Sequence, residues 1–392
     1  MEPAAGSTTE PNPGEQGAVA RALEELASGR MVVVVDGEDP VNHGAVAMAA
    51  QFATPEALNF MNRRAGGWVC LALTAERCDE LDLEPVPASE ADDETRFMSP
   101  FQAREGVSTA SAQDQAHSIQ VAIDPSRGAA DIVKPGHVQP LRSEPGGVLR
   151  QGGHTEAAVD LARLAALSPA AVICEIQDDE GSMAGPEQLA AFCSEHDLSV
   201  VEIAEVIAHR HRVDQLVEQV VEVDLPTRHG SFRAVAYRSL PDEDLHLAYV
   251  KGEIAGAEDV LVRVHTGCLT GDVFHSTLCG CGDKLESSLQ RIEDEGRGVL
   301  VYLDPQPRGP GVFAELDGSA PHHRPPGSGE PRPGGADGEA VTLRRHGTGA
   351  QILRDLGLTS IRVLTDNPKR MVGLEGFGLT VTDQVPLTAQ PR

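Results

Sequence analysis

Apolar and polar positions fall along the chain in short blocks that predict alternating helices and strands. Val19–Leu26 reads as a short helix. Met31–Val35 follows with four consecutive valines, a run that argues for a strand buried on both faces. After a loop at Asp36–Gly44, the small residues of Ala45–Phe52 read as helix, and Thr54 is placed to cap a further helix through Met61. Val69–Leu73 is the next buried strand, and Ala112–Val121 a helix. Thr155–Leu167 puts Ala157, Leu161, Leu164 and Leu167 on one stripe behind Thr155 as cap. Strand Ala171–Ile176, helix Pro186–His196, strand Leu198–Ile203 and helix Glu205–His211 complete the pattern of an α/β or α+β layered domain.

Beyond His211–Val223 the rhythm changes to longer β alternation at Phe232–Tyr237, His246–Lys251 and Val260–His265. A second domain is therefore expected, with its border near residue 212. Helix Lys284–Ile292 carries Leu285, Leu289 and Ile292 on one face, and strand Gly298–Leu303 follows. Asp304–Ala340 holds 8 Pro and 8 Gly in 37 residues, enough to read it as coil. Order resumes with helix Gly349–Leu356, strand Ser360–Leu364 and a β segment near Gly378–Val381. The Pro-, Gly- and Ala-rich residues 1–18 read as a disordered tail, and the eight acidic residues of Asp79–Glu94 as a solvated insert. The expected organisation is a tail at 1–18, a first domain at 19–211, and a second at 212–392 with an insert at 304–340.

Charge narrows the functions available. Lys and Arg total 32 against 60 Asp and Glu, a formal charge of −28, which opposes wrapping by DNA or RNA. A small anionic ligand is still compatible, because a few local Arg residues suffice to hold it. No apolar run approaches the roughly 18 residues of a membrane span, and the polar start lacks a signal pattern. Seven cysteines in 392 residues do not make a disulfide scaffold. The expectation is a cytoplasmic protein with no membrane and no nucleic-acid partner.

The sharpest chemistry lies in Cys268-Leu-Thr-Gly-Asp-Val-Phe-His-Ser-Thr-Leu-Cys279-Gly-Cys281. Three thiols so spaced can converge on a soft cation. Three protein ligands leave a tetrahedral position open for water or substrate, the layout of catalytic zinc. Two alternatives stand beside it: a closed site completed by His275 or His265, and a set of free thiols. Arg263, Arg308 and Arg344 gathered around such a metal would suit a polyphosphate, since guanidinium pairs bidentately with phosphate; the alternative is that each is a surface Arg.

Arg263-Val-His-Thr-Gly-Cys-Leu-Thr-Gly-Asp272, Cys279-Gly-Cys-Gly282, Gly349-Ala-Gln-Ile-Leu-Arg-Asp-Leu-Gly357 and Leu364-Thr-Asp-Asn-Pro368 resemble GTP cyclohydrolase II. Phe52-Ala-Thr-Pro-Glu-Ala-Leu-Asn-Phe-Met61, Lys134-Pro-Gly-His-Val138, Gly146-Gly-Val-Leu149, Gly153-His-Thr-Glu-Ala-Ala-Val-Asp-Leu161 and Val172-Ile-Cys-Glu-Ile176 resemble 3,4-dihydroxy-2-butanone 4-phosphate synthase. Their order is that of the bifunctional riboflavin-pathway family. The resemblance implies an α/β synthase-like domain followed by an α+β cyclohydrolase-like domain, zinc and magnesium as cofactors, GTP as substrate with release of formate and pyrophosphate, and a homodimer.

Transferred residue by residue, the synthase chemistry is largely gone. Pro40 stands for the substrate-binding Arg, Val41 for the magnesium-ligating Glu, His43 for the second Glu and Ala45 for the Asp that handles the sugar. Magnesium takes oxygen ligands, which Val41 lacks. Gln115 and Gln151 replace Arg residues, while His154 keeps the metal-binding position and Glu175 a substrate position. In the second domain the resemblance assigns Cys268, Cys279 and Cys281 to zinc and Arg344 to attack on the α-phosphorus. It assigns Arg263, Arg308 and Thr365 to the nucleotide, with Arg370 at the position of a family Lys. Gly267, Leu278, Gln306, Pro307 and Thr342 depart from the pattern, and Thr342 stands for the proton-accepting Asp. His346, in place of a Tyr, is a titratable substitute. The alternatives are an inactive paralogue that pairs with or regulates an active riboflavin enzyme, and an enzyme repurposed for another nucleotide or sugar phosphate.

Overall fold

The computed structural model describes residues 13–37, 43–86, 97–241, 243–277, 279–304, 347–366 and 378–387. They divide into two units between Arg210 and His211. The first is built on β1 (Val32–Val35), β2 (Gly44–Ala49), β3 (Gly66–Leu73), β4 (Phe101–Ala103), β5 (Ile132–Arg142), β6 (Ala170–Ile176) and β7 (Ser199–Glu202). These form one mixed sheet in the order β4-β5-β3-β6-β2-β1-β7. All four valines of β1 are buried, as their unbroken apolar run requires. Val33 and Val35 join a core with Leu58 of α2 (Pro55–Phe60), Ile119 of α4 (Ala112–Ile123) and Leu189 of α6 (Pro186–His196), where α3 is Ala75–Glu80. α1 (Pro13–Ala27) and α5 (His154–Leu164) also pack on β1. α7 (Ile203–Val213) closes the series.

Three sequence expectations need correction. Of Ala45–Phe52 only Ala50–Phe52 is helical, as one 3-10 turn; residues 44–49 form β2, between β1 and β6, with every position buried. Alanine favours a helix in isolation, but here burial between two strands outweighs that preference. Gly44 suits the site because a Cβ there would lie 2.8 Å from a Leu189 methyl group. The first helix starts at Pro13 and takes in residues assigned to the tail, since Val19, Ala22 and Leu26 give it a buried stripe. α5 starts at His154 with Gly153, rather than Thr155, at its cap. Thr54 does cap α2, accepting from the Ala57 N–H at 3.2 Å.

β5 contains Pro135, Gly136 and Pro140. Its glycine marks close strand contact: a Cβ on Gly136 would fall 1.9 Å from the Phe101 carbonyl carbon. Beside it, Asp160 of α5 and Arg210 form a buried ion pair at 2.7 Å, and Arg210 also donates to the Gly146 carbonyl at 2.6 Å.

The second unit contains β8 (Val217–Thr227), β9 (Gly230–Ser239), β10 (Leu245–Lys251), β11 (Val260–Thr266), β12 (Gly298–Leu303), β13 (Ser360–Leu364) and β14 (Thr380–Val385). Their order is β14-β13-β11-β12-β10-β9-β8. β8 is an exposed edge strand, so no inside–outside alternation announces it. Alternation does sort the centre of the sheet. Val260, Val262, Val299 and Val301 pack with Ile352 and Leu353 of α9 (residues 347–355). Leu261, Leu300 and Tyr302 face Leu285, Leu289 and Ile292 of α8 (Cys281–Glu295). Arg263 and His265 therefore lie on the α8 side, opposite Leu300 and Tyr302 in the parallel β11–β12 register.

The Asp160–Arg210 pair yields a stability prediction. Arg210→Met leaves a buried carboxylate without its principal counter-charge and should cost about 3 kcal/mol. Trp68, the single tryptophan of the chain, lies in the first unit, so urea unfolding followed by its fluorescence reads that unit directly.

Candidate metal centre

β11 ends at Thr266, and the chain turns through Gly267 and Cys268 into one π-helical turn at Leu269–Val273. Cys281 opens α8. The two ends bring Cys268, Cys279 and Cys281 together with their sulfurs all within 4.8 Å of one another. The Cys268 and Cys279 sulfurs are 3.7 Å apart, and Cys268 Sγ accepts the Gly271 N–H at 3.3 Å. Glycine is required at that point: a Cβ on Gly271 would lie 2.9 Å from Cys279 Sγ, 3.0 Å from Cys281 Cβ and 3.2 Å from Cys268 Sγ. Gly282 is equally confined, since its Cβ would stand 2.5 Å from the Gly271 carbonyl oxygen.

Among the described residues, no His, Asp, Glu or further Cys joins the three sulfurs. His265 is committed elsewhere, its Nε2 lying 3.0 and 3.1 Å from the two Asp272 oxygens. His275 is exposed, at a left-handed φ of 53°, with Nδ1 3.9 Å from Glu286. Three soft donors with no fourth ligand among the described residues suit a thiophilic cation such as zinc with a coordination position open. Without a cation, burial pushes the Cys268 and Cys281 thiols up, and the neighbouring sulfurs push Cys281 further. Metal binding must release those protons.

A polar network sits beneath the sulfurs. Asp272 accepts from the Cys268 N–H at 2.8 Å, from Tyr302 Oη at 3.0 Å and from His265. Burial alone would raise this carboxyl, yet the hydrogen bond and charge of His265, with the Cys268 and Tyr302 donors, hold it below the usual carboxylate range. Nothing in the local spacing singles out Tyr302, because its partnership depends on strand register. Asp272 is visible only as the last letter of the cysteine motif.

The other expected residues are distributed unevenly. Arg263 is partly buried beside the cluster; its Nη1 donates to the Leu364 carbonyl at 2.8 Å, while its buried Nε has no hydrogen-bond partner. Burial works against its charge, and Asp366 and Cys281 favour it. Thr365 follows β13, its N–H donating to Val385 at 2.9 Å. Arg308, Arg344, His346 and Arg370 lie outside the described residues, as do Leu278 and the insert.

In the first unit, His154 Nε2 is 3.2 Å from the His43 carbonyl oxygen, and burial lowers the His154 pKa. Glu175 is exposed on β6 and stands opposite Ala45, which offers no carboxylate. His43, His154 and Glu175 do not form a metal-binding group. Pro40 and Val41 lie outside the described residues. A 360 Å³ cavity is lined by Gln102, Thr109, Gly136 and His137, the last with a buried, unpartnered Nε2 that the sequence reading passed over.

Known proteins match this arrangement throughout its length. A family model for 3,4-dihydroxy-2-butanone 4-phosphate synthase matches residues 20–209, and one for GTP cyclohydrolase II matches residues 218–386. Riboflavin biosynthesis protein RibBA of Nocardia farcinica is 46% identical over 382 residues, covering 94% of this chain and 90% of that protein. The chain belongs to the RibBA riboflavin biosynthesis family. RibBA of Salinispora arenicola is also 46% identical, over 96% of this chain and 90% of that protein. Among solved structures, RibBX, a two domain 3,4-dihydroxy-2-butanone 4-phosphate synthase from A. baumannii, superposes with a TM-score of 0.75 at 35% identity. The match covers 95% of this chain and 99% of RibBX. The two-domain architecture, synthase-like α/β then cyclohydrolase-like α+β, is thus that of the RibBA family. No helix among the described residues is long and apolar enough to cross a membrane.

Two outcomes follow from this geometry. Gly271→Ala overpacks the sulfur cluster at a cost of about 1–3 kcal/mol, a roughly five- to hundredfold loss of zinc affinity measurable by chelator competition. His154 has a lowered folded-state pKa, so the unfolded chain binds more protons below pH about 6.5. Its contribution to stability is present above that pH and is lost as pH falls through the folded value; His154→Gln should flatten that part of the urea-midpoint profile.

Proposed function

We propose that the second unit opens the imidazole ring of a purine nucleotide, GTP in the first instance, with release of formate and pyrophosphate, and that the first unit has lost the synthase reaction. The observation that carries this reading is the three-sulfur cluster with no fourth ligand among the described residues. Family membership supplies the substrate class. When bound, zinc supplies Lewis acidity and a source of nucleophilic water near neutral pH.

The chain's own residues take the remaining roles. Cys268, Cys279 and Cys281 hold the ion. Arg263, Arg308, Thr365 and Arg370 bind the nucleotide; Arg263 brings a buried guanidinium with one unused N–H to the edge of the cluster. Arg344 engages the α-phosphorus, and His346 moves the proton that Thr342 cannot. Magnesium accompanies the polyphosphate, whose oxygens suit a hard cation. The family relationship also supports a homodimer working in the cytoplasm.

Loss of the first reaction is read from the residues that stand where charge is needed. Ala45, opposite Glu175 in the β2–β6 register, offers no carboxylate, and Val41 has no side-chain oxygen with which to hold magnesium. The same observation favours a second reading, in which the chain binds nucleotide without turnover and serves an active riboflavin enzyme.

Incubation of the zinc-loaded chain with GTP and magnesium decides between them. Formate and pyrophosphate should appear in equal amounts, with no formate from ribulose 5-phosphate. Cys281→Ser should abolish the GTP reaction, and His346→Ala should slow it by about 100-fold, the scale of one general acid–base group. Nucleotide binding without formate would establish the second reading.

A further inference from the structure

We propose that Asp272 is the positioning residue of the three-sulfur centre: its carboxyl group, anchored by His265 and Tyr302, fixes the Cys268 amide and strengthens the grip on zinc. The inference rests on the zinc reading above and concerns holding the ion, not turnover.

Cys268 is the ligand that most needs such a device. Cys279 and Cys281 sit together at the start of α8, whereas Cys268 reaches them from the end of β11. Its sulfur is placed by the turn, and the turn is held through the Cys268 N–H donated to Asp272 Oδ2 at 2.8 Å. That carboxylate is in turn tied to the sheet. His265 and Tyr302 are register partners on β11 and β12, and both converge on Asp272. Their rings also stack, with centroids 5.6 Å apart and planes 27° apart.

The arrangement is more than a polar turn. The side chains of Asp272 and His265 are each only 3% exposed. An ionised carboxylate that deep requires several donors, and Asp272 receives them from three different segments. His265 Nδ1 has no hydrogen-bond partner, so the whole polar capacity that the ring uses is given to Asp272. A carboxyl group one hydrogen bond from a ligating residue orients that ligand, the role outer ligands of metal sites commonly play.

The test uses the full chain and zinc alone, with chelator competition, and cobalt(II) as a spectroscopic substitute. Asp272→Asn keeps the shape while removing the charge. His265 can meet the new amide by carrying its proton on Nδ1 instead, so the packing is retained. The expected result is a loss of zinc affinity of about 10- to 100-fold, with an altered thiolate-to-cobalt absorption. The urea midpoint should fall more for the zinc-loaded chain than for the zinc-free chain. Tyr302→Phe removes one anchor and keeps the charge, and its zinc affinity should lie between wild type and Asp272→Asn. An unchanged zinc affinity in both variants overturns the proposal, as does an equal fall of both urea midpoints. Failure of the wild-type chain to bind zinc overturns it together with the ring-opening reading. Normal zinc dependence on Asp272 without formate from GTP sinks the ring-opening reading alone.

Discussion

Crowding of three sulfurs within 4.8 Å is the constraint on which the second unit turns. As thiols they compete for one space, and as thiolates they repel, so the backbone around them has to hold them in place until a cation balances their charge. It does so by removing side chains. Gly271 and Gly282 leave room for the turn after β11 to lie directly on the first turn of α8, where any Cβ would collide with a sulfur or a carbonyl. The sheet then fixes the turn. β11 and β12 run parallel with His265 opposite Tyr302, and both side chains end on the carboxylate that holds the Cys268 amide.

The first unit is organised around its apolar core. Its core is intact, with the valines of β1, the small residues of β2 and the helices α2, α4 and α6 packed without reference to catalysis. At the edge of that core Ala45 stands opposite an exposed Glu175, and the His43 carbonyl is engaged by His154. Packing residues and reacting residues are separable because stability depends mainly on buried apolar area, while a reaction depends on a few charges at set distances.

Much of both sheets was legible in the chain. Four valines in a row, the alternation of Val260–His265 and the apolar run Gly298–Leu303 each specify a strand through local pattern alone. Misreadings arose where tertiary contact overrides that pattern. Residues 44–49 are rich in alanine and form a strand because two neighbours bury them. β5 carries no clear strand pattern, because Gly136 is reserved for the close approach of Phe101. β8 has no buried face to announce it.

At the candidate centre the division is equally clear. Cysteine spacing determined which three residues can share a soft cation, because ligand identity and short loop length are local properties. Spacing could not decide whether His265 or His275 would close the site; that was settled when the fold turned His265 toward Asp272 and left His275 facing solvent. Nor could it reveal Tyr302, 30 residues from Asp272 in the chain, as a partner of the same carboxylate. Hydrogen bonds act over about 3 Å, and only the register of two adjacent strands brings groups so distant in sequence within that reach.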